Sequence, residues 1–312
     1  MKLSKLCMLG CAIMALVFIG CSAEDGADGS PGTNGTNGTN GTNGTNGEDG
    51  EDGKDKPNVD FYFQDGFKGY DGTQDASIKE GGETNSSLSA IQYGVETEYT
   101  VMKFDGISDE INSLLVEEGQ NCADSFYMNQ AILYLYISTS ISDVYPLYFN
   151  IGFYNENDPS FDESSVTWDN AFGETPWAAK GAESSSWAGP FSNDSYSVKF
   201  GAQLSLSSSD PGWFPIHLPR SVVENWICQS ATNNGIRIRL SGPPSNNGTF
   251  VEFFSSENPV EDLRPLLVIE TEKIEPSQTT KAAVADTKEQ DWDSMSYEEK
   301  MAPLYRFMAA KN

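Results

Sequence analysis

The residues of this chain that could bind or transform a ligand are its carboxylates and its tryptophans. The single histidine, His217, cannot build a multi-histidine zinc site, and any Ser-His-Asp or Cys-His nucleophile would have to use it. Aromatic rings can stack on other flat apolar faces, including those of sugar rings, while carboxylates accept hydrogen bonds. This inventory favours ligand binding over nucleophilic catalysis.

Three tryptophans are the candidate ligand-binding residues. Trp177, Trp187 and Trp213 lie in the segments TPWAAKG, SSSWAGP and DPGWFP, whose Gly, Pro and Ser content is typical of surface loops. The alternative is that each ring folds onto the edge of the domain. Trp168 and Trp226 lie beside apolar residues and are expected in the core.

The carboxylates offer two further chemistries. Asp162 and Glu163 are adjacent and could be paired as an acid and a base, but so could many of the 31 acids between residues 57 and 272, so we assign no catalytic residue. Asp158, Asp162, Glu163 and Asp169 could supply oxygen ligands for a structural calcium ion. No EF-hand motif accompanies them, so no cofactor is assigned.

The charge of the chain excludes nucleic-acid binding. It carries 46 Asp+Glu against 19 Lys+Arg, a formal net charge of -27 over 312 residues. Binding to a phosphate backbone depends on clustered positive charge, which this chain lacks.

The N-terminal segment is predicted to direct export. Residues 1–20 carry Lys2 and Lys5 before an apolar run that is short for a membrane span, as in a signal peptide. Phe18-Ile19-Gly20-Cys21 resembles a bacterial lipobox, which implies cleavage before Cys21 and lipidation of that residue; the alternative is ordinary secretion with cleavage nearby. The following Ser22-Ala23-Glu24-Asp25 resembles signals that send lipoproteins to the cell surface. We therefore expect a lipid-anchored protein of the outer membrane that faces outward.

A glycine repeat follows the anchor. Every third residue is glycine from Gly26 to Gly53, the period that a collagen triple helix requires. Only Pro31 contributes an imino acid, so a flexible spacer without a triple helix is the alternative to a homotrimer. Residues 21–56 act as a spacer in either case.

Residues 57–272 are predicted to form one all-β domain, a single β-sandwich of the jelly-roll type. Short apolar or aromatic runs alternate with clusters of Gly, Asn, Ser and Asp. The clearest runs are residues 131–137, 147–154, 197–206, 236–240, 250–254 and 266–270. Only residues 221–228 have a helical pattern. In IRIRL, residues 236–240, the period of two predicts that the two arginines face water or a partner.

The order of several motifs in this domain resembles the DNRLRE, or disaggregatase-related, domain. The motifs are FDESSVTWDNA (161–171), SVVENWI (221–227), NNGIRIRL (233–240), FFSSENP (253–259) and RPLLVIE (264–270), preceded by DASIKEGGETNSS (75–87) and VMKFDGI (101–107). The resemblance implies a β-sandwich that binds polysaccharide without catalysis. With 9 Lys+Arg against 31 Asp+Glu in residues 57–272, acidic glycans such as alginate are expected to be repelled.

Two cysteines remain for the exported domain after Cys7, Cys11 and Cys21 are accounted for. Cys122 and Cys228 are predicted to form a disulfide, as an exported pair most simply would; two buried thiols are the alternative. Residues 273–312 are predicted to be a linker and a short amphipathic helix that opens with the capping box Ser296-Tyr297-Glu298-Glu299 and is kinked or broken by Pro303. That helix packs back on the domain, frays, or docks on a partner or a membrane surface.

The sequence thus predicts a non-catalytic cell-surface lipoprotein whose β-sandwich binds extracellular polysaccharide for adhesion or substrate capture. The alternative is a structural or adhesive surface protein that binds other proteins or assembles through its collagen-like repeat.

Overall fold

The computed structural model describes residues 58–82, 84, 89–93, 98–141, 147–184, 195–200, 211–241, 249–274 and 291–311. The chain divides into two units at residue 53, and every described residue belongs to the second, Lys54–Asn312. The predicted signal peptide, Cys21, the glycine repeat, Trp187 and the end of the predicted 197–206 strand lie outside the described residues. Among the helices that are described, none has the length and apolar character needed to cross a membrane.

Short runs of aromatic and β-branched residues form the strands, as their composition favours. Within the described residues they are β1 Asn58–Phe63, β2 Thr73–Lys79, β3 Ser89–Tyr93, β4 Glu98–Phe104, β5 Phe126–Ile141, β6 Leu147–Phe153, β7 Asn170–Phe172, β8 Thr175–Pro176, β9 Ser195–Phe200, β10 Gly212–Leu218, β11 Ile236–Ser241, β12 Thr249–Phe253 and β13 Leu266–Lys273. Each of the six predicted runs overlaps one of these strands.

Eleven of these strands form one antiparallel sheet. Its order is β1-β13-β5-β12-β3-β4-β11-β6-β9, with β10 paired to β5 and β2 paired to β4. β7 and β8 form a separate two-stranded sheet. The 16-residue β5 pairs with β13, β10 and β12, so it connects most of one half of the large sheet.

We call β1, β13, β5, β12 and β10 the first half of the large sheet, and β3, β4, β11, β6, β9 and β2 the second half. The two halves share one apolar core. Alternate residues of the first half, such as Phe63 of β1 and Leu133 of β5, are buried in the same cluster as Ile151 of β6 and Ile238 of β11 from the second half. The rings of Phe149 on β6 and Phe214 on β10 lie 5.1 Å apart and join the halves directly. The described part is therefore a β-rich domain, as the sequence predicts.

Four α-helices lie in the described residues: α1 Ile107–Leu115, α2 Cys122–Ser125, α3 Arg220–Cys228 and α4 Tyr297–Lys311. α3 matches the helix predicted from its sequence, whereas α1 was not predicted. Both bury apolar side chains, including Ile111 and Trp226, in the shared core. A disulfide joins Cys122 to Cys228, as predicted, and ties α2 to the end of α3.

Residues 155–184 cover the face of β2 and β4 that points away from the shared core. A second apolar cluster joins Ala76 and Val101 of these strands to Phe161 and Trp177 of the covering segment. Under this segment lies Arg237 of β11, which is 2% exposed and donates hydrogen bonds to Glu183 at 2.7 Å and to the Gly181 carbonyl at 2.8 Å. The prediction that the arginines of this strand face water or a partner is wrong for Arg237, because a distant segment of the same chain covers that face of the strand.

α4 packs against the outer surface of the first half of the sheet. Its apolar residues Met301, Leu304 and Phe307 are buried in a third cluster with Tyr134 and Val268 of β5 and β13. This docking is one of the arrangements that the sequence left open.

The start of α4 has the predicted capping box. The Glu299 amide donates to the Ser296 hydroxyl at 3.2 Å, and the Ser296 amide donates to the Glu299 carboxylate at 2.7 Å. Helix α4 continues through Pro303, so the predicted break at this residue is wrong. Pro303 itself is buried in the docked helix, and packing against the sheet offsets the lost backbone hydrogen bond.

Candidate functional site

A cleft of about 500 Å³ opens between β1 and the start of α1. Its floor and walls come from β1, from the turn and loop that lead to β2, and from residues 105–114. Four aromatic residues line it, the buried Phe61 and the partly exposed Tyr62, Phe67 and Tyr70, together with the exposed Leu114 of α1. The volume lies within the range of small-molecule sites, and the lining combines apolar rings with polar groups.

A tight turn after β1 shapes the mouth of this cleft. Gly66, Lys68 and Gly69 have φ values of 93°, 51° and 85°, in the left-handed region that glycine adopts without strain. Backbone hydrogen bonds from Phe67 to Gln64 and from Tyr70 to Phe67, at 2.9 and 3.0 Å, close the turn. The turn thereby holds Phe67 and Lys68 at the edge of the cleft.

The inner wall is held by contacts between the loop before β2 and the residue that precedes α1. The Tyr70 hydroxyl donates to the Asp105 carbonyl at 3.0 Å, and the Asp105 amide donates to the Gly72 carbonyl at 2.7 Å. A side chain at position 72 would not fit, because its Cβ would lie 2.6 Å from the Asp105 carbonyl oxygen. The close approach of these two segments therefore requires glycine at position 72.

Both tyrosines of the cleft keep their phenolic protons. Burial, helped by the nearby Asp65 and Asp105 carboxylates, raises the pKa of Tyr70 well above its usual range. Burial and the adjacent Asp60 raise the pKa of Tyr62. The rings therefore stay neutral and present apolar faces at any physiological pH.

Four carboxylates line the cleft, and Lys68 is its one cationic lining residue. Asp60 accepts hydrogen bonds from the Tyr62 hydroxyl at 3.2 Å and from Arg306 at 3.3 Å. Asp105 accepts one from Gln74 at 2.6 Å and pairs with Lys103 at 3.3 Å. The other two, Asp71 and Glu110, are exposed, and within the described residues no ion pair engages either of them. The site thus has rings for stacking and carboxylates for hydrogen bonding.

A second polar group lies apart from the residues that line the cleft. One oxygen atom from each of Asp75, Glu163 and Glu257 lies within 4.8 Å of the other two, an arrangement that could hold a hard cation such as Ca²⁺. Asp75 is fully buried and accepts a hydrogen bond from the Ser256 amide at 2.8 Å. Burial, a hydrogen bond with Glu257 and repulsion from Glu257 and Asp75 raise the pKa of Glu163 to about 9.

Of the four carboxylates predicted for calcium, only Glu163 belongs to this group. Asp158 is buried and accepts a hydrogen bond from the Ser184 hydroxyl at 2.6 Å. Asp162 is exposed and accepts hydrogen bonds from Ser164, which lower its pKa. Asp169 pairs with Lys180 at 3.2 Å. These carboxylates are close in sequence, but hydrogen bonds to different neighbours keep them apart.

The structure does not expose the predicted tryptophans that it describes. Trp177 is 4% exposed, stacks on Tyr154 at 5.1 Å and donates its indole N–H to the Thr167 carbonyl at 3.1 Å. Trp213 is 9% exposed and lies in β10 in edge contact with Tyr136, not in a loop. The expectation of open rings at these two positions is wrong, because Trp177 packs inward from the covering segment onto β2 and β4, and α4 packs beside Trp213.

Of the two tryptophans expected in the core, the structure confirms only Trp226. Trp226 lies in the shared core, and Trp168 packs half-buried against Tyr99 with ring centroids 4.9 Å apart. His217 is a strand residue of β10 whose ring stacks on Trp292 at 5.1 Å, and burial lowers its pKa.

Sequence reasoning missed the cleft because it considered only tryptophans as stacking residues. A local signal was present, since the segment FQDGFKGYDG, residues 63–72, combines three glycines that permit tight turns with three aromatic residues and two carboxylates. The second wall, from Asp105 to Leu114, carries no comparable signal.

No known family model matches the chain, and no curated protein is similar enough to count as a relative. The likeness to the DNRLRE domain thus remains a resemblance of motifs.

Proposed function

We propose that this protein is a non-catalytic surface lipoprotein whose β-rich domain binds extracellular polysaccharide in the cleft beside β1. The observation that carries the proposal is the cleft itself, which brings Tyr62, Phe67 and Tyr70 together with exposed Asp71 and Glu110. Aromatic faces provide the apolar contact that a sugar ring needs, and carboxylates accept hydrogen bonds from its hydroxyls.

The packing of the sheet supports the finer interpretation as a β-sandwich. Two halves of an antiparallel sheet that bury their inner faces in one core match that architecture. The motif FDESSVTWDNA belongs to the segment that covers β2 and β4, and RPLLVIE contains most of β13. In this proposal the domain is a DNRLRE-type jelly roll, and its binding site lies at the edge of the sheet.

The disulfide supports an exported location, since such bonds persist in oxidising compartments. A lipid on Cys21 would anchor the chain, and residues 21–56 would separate the domain from the membrane. Capture of glycan near the outer surface of the cell, for adhesion or as substrate for other proteins, is the proposed role. A cation at Asp75, Glu163 and Glu257 would stabilise the domain in this proposal and would take no part in chemistry.

The test is glycan binding by the full chain and by two matched variants. Leu114→Arg places a bulky charge in the cleft, whereas Val260→Arg makes the same change at an equally exposed apolar residue outside the cleft lining; the two are 60% and 51% exposed. We expect Leu114→Arg to weaken binding to a neutral or amino-sugar polysaccharide about tenfold, which corresponds to about 1.4 kcal/mol, and Val260→Arg to leave it unchanged.

Two outcomes would contradict the proposal. Equal loss of binding in both variants, or no binding to any glycan, would favour a protein-binding or self-assembling surface protein. Release of shortened sugar chains that stops in Glu163→Gln would show an enzyme instead.

A further inference from the structure

The charge of the cleft restricts which glycan can enter it, if the proposed function holds. Its lining carries four carboxylates against the single ammonium of Lys68. Asp60 and Asp105 are engaged by Arg306 and Lys103, but both of those cations lie outside the lining. The two exposed carboxylates, Asp71 and Glu110, leave the mouth of the cleft negative, so a uronic acid would be repelled.

The aromatic rings beside this negative charge already hold ammonium groups of the protein itself. Lys68 Nζ lies 5.1 Å from the centroid of the Phe67 ring. Lys311 Nζ lies 4.9 Å from the Phe307 centroid and 5.9 Å from that of Phe67, and it also donates to Asp262 and Gln64 at 2.7 Å. An ammonium over an aromatic face with a carboxylate nearby is thus a stable arrangement at this end of the domain.

Lys68 lies between two glycines in the turn and shares their left-handed backbone conformation. Lys68 has a φ of 51°, a conformation that is strained for a residue with a side chain. Glycine would adopt it without strain, as Gly66 and Gly69 do on either side. The exposed Lys68 side chain therefore places its ammonium group at the mouth of the cleft. A positively charged group of a ligand can replace it there.

We propose that the cleft binds glycans that carry free amino groups, with the ligand ammonium groups paired to Asp71 and Glu110. This inference rests on the proposed function and names its ligand class. The sugar rings of the bound glycan contact Tyr62 and Tyr70. The ammonium of one sugar residue takes the place of the Lys68 ammonium beside Phe67. N-acetylation removes that charge, so the same chain length with acetylated amines binds less well.

The experiment compares three oligosaccharides of equal length with the full chain by calorimetry at about pH 6 and low salt: β-1,4-linked glucosamine, its N-acetylated form, and a neutral β-glucan. The double variant Asp71→Asn with Glu110→Gln removes the two exposed charges. Asp109→Asn is the matched control, since it neutralises an exposed carboxylate one residue away on α1 outside the cleft lining. Lys68→Gln removes the competing ammonium at nearly constant length.

We expect the glucosamine oligomer to bind about tenfold more tightly than its acetylated form, a difference of about 1.4 kcal/mol, and to lose this advantage in the double variant but not in Asp109→Asn. Lys68→Gln should bind glucosamine about threefold more tightly, an independent readout if the double variant is unstable.

Two results would overturn this inference and leave the proposed function standing. The first is equal binding of all three oligosaccharides. The second is a double variant that still prefers the glucosamine oligomer, together with no tighter binding of that oligomer by Lys68→Gln. Failure of all three to bind would remove both.

Discussion

At the scale of single residues, Glu163 holds a proton near neutral pH. Its folded pKa of about 9 lies above its ordinary value of 4.5 because of burial and the neighbouring Glu257 and Asp75 carboxylates. A raised folded pKa means that stability is fully present below about pH 4.5 and is lost as the pH rises through the folded pKa. The free energy of unfolding should therefore fall between pH 5 and pH 9.

The substitution Glu163→Gln should remove this part of the pH dependence, because glutamine resembles the protonated acid in shape and charge. We expect the variant to melt about 2 to 4 °C above wild type at pH 8 and close to it at pH 5. Thermal unfolding followed by circular dichroism at both pH values measures this. Glu174→Gln, at an exposed position, should follow the wild-type curve. A wild-type slope that persists in Glu163→Gln would assign the loss of stability to other groups.

Calcium and the Glu163 proton should compete for the group of Asp75, Glu163 and Glu257. If a cation binds there, added Ca²⁺ should raise the melting temperature by at least about 2 °C at pH 8 and by less at pH 6, where the proton is held more firmly. The increase should disappear in Glu163→Gln. Equal melting temperatures in Ca²⁺ and in a chelator would instead mean that the proton alone stabilises the three carboxylates.

At the scale of elements, the segment 155–184 depends on the buried pair of Arg237 and Glu183. The guanidinium is 3% exposed and the carboxylate 33%, with 2.7 Å between the two atoms. Glu183→Gln leaves a buried arginine without its carboxylate, so we expect a loss of about 2 kcal/mol in the free energy of unfolding. Urea titration measures it, and Glu174→Gln is again the control. Arg237 also lies over the Tyr99 ring, 5.1 Å from its centroid. A change below about 0.5 kcal/mol would show that this ring and the Gly181 carbonyl suffice for the arginine.

Helix α4 should owe its position chiefly to Phe307. This residue is 1% exposed, and its ring centroid lies 5.2 Å from that of Tyr62 and 4.9 Å from that of Phe67. Phe307 therefore also supports the wall of the cleft. Phe307→Ala should destabilise the docked helix by about 3 kcal/mol, whereas Tyr305→Ala, at a 52% exposed position, should change stability by less than about 0.5 kcal/mol. Hydrogen exchange of residues 297–311 reports the undocking. Unchanged protection in Phe307→Ala would show that Met301 and Leu304 are sufficient.

At the scale of the whole domain, the disulfide closes a loop of 106 residues between α2 and α3. Cross-linking so long a loop lowers the entropy of the unfolded chain and contributes about 4 to 5 kcal/mol in the chain-entropy model. Cys122→Ser with Cys228→Ser should reduce the free energy of unfolding by about that amount in urea titrations. Reductant should do the same to wild type and nothing further to the double variant. A loss below about 1 kcal/mol would show that the shared core alone holds these helices together.

Local patterns were sufficient for six of the described strands, β5, β6, β9, β11, β12 and β13, for α3, and for the capping box of Ser296 and Glu299. These features depend on neighbours within a few residues, so periodicity and side-chain type identify them. Helix α1 was missed although its apolar residues Ile107, Ile111 and Leu115 have helical spacing. The Ser, Asp and Asn residues between them are typical of a loop. The disulfide could be predicted without any knowledge of the tertiary structure, because only two cysteines remain beyond residue 21.

The sequence by itself determined the β-rich class, the pairing of Cys122 with Cys228 and the strong negative charge, because composition and short-range spacing carry them. Only the tertiary structure decided which rings and carboxylates are accessible. Trp177 packs onto the distant strands β2 and β4, and the distant helix α4 packs beside Trp213. The group of Asp75, Glu163 and Glu257 joins β2 to two distant loops, and the cleft brings the turn at residues 66–69 against α1. Burial and long-range contact are properties of packing, and no local pattern encodes them.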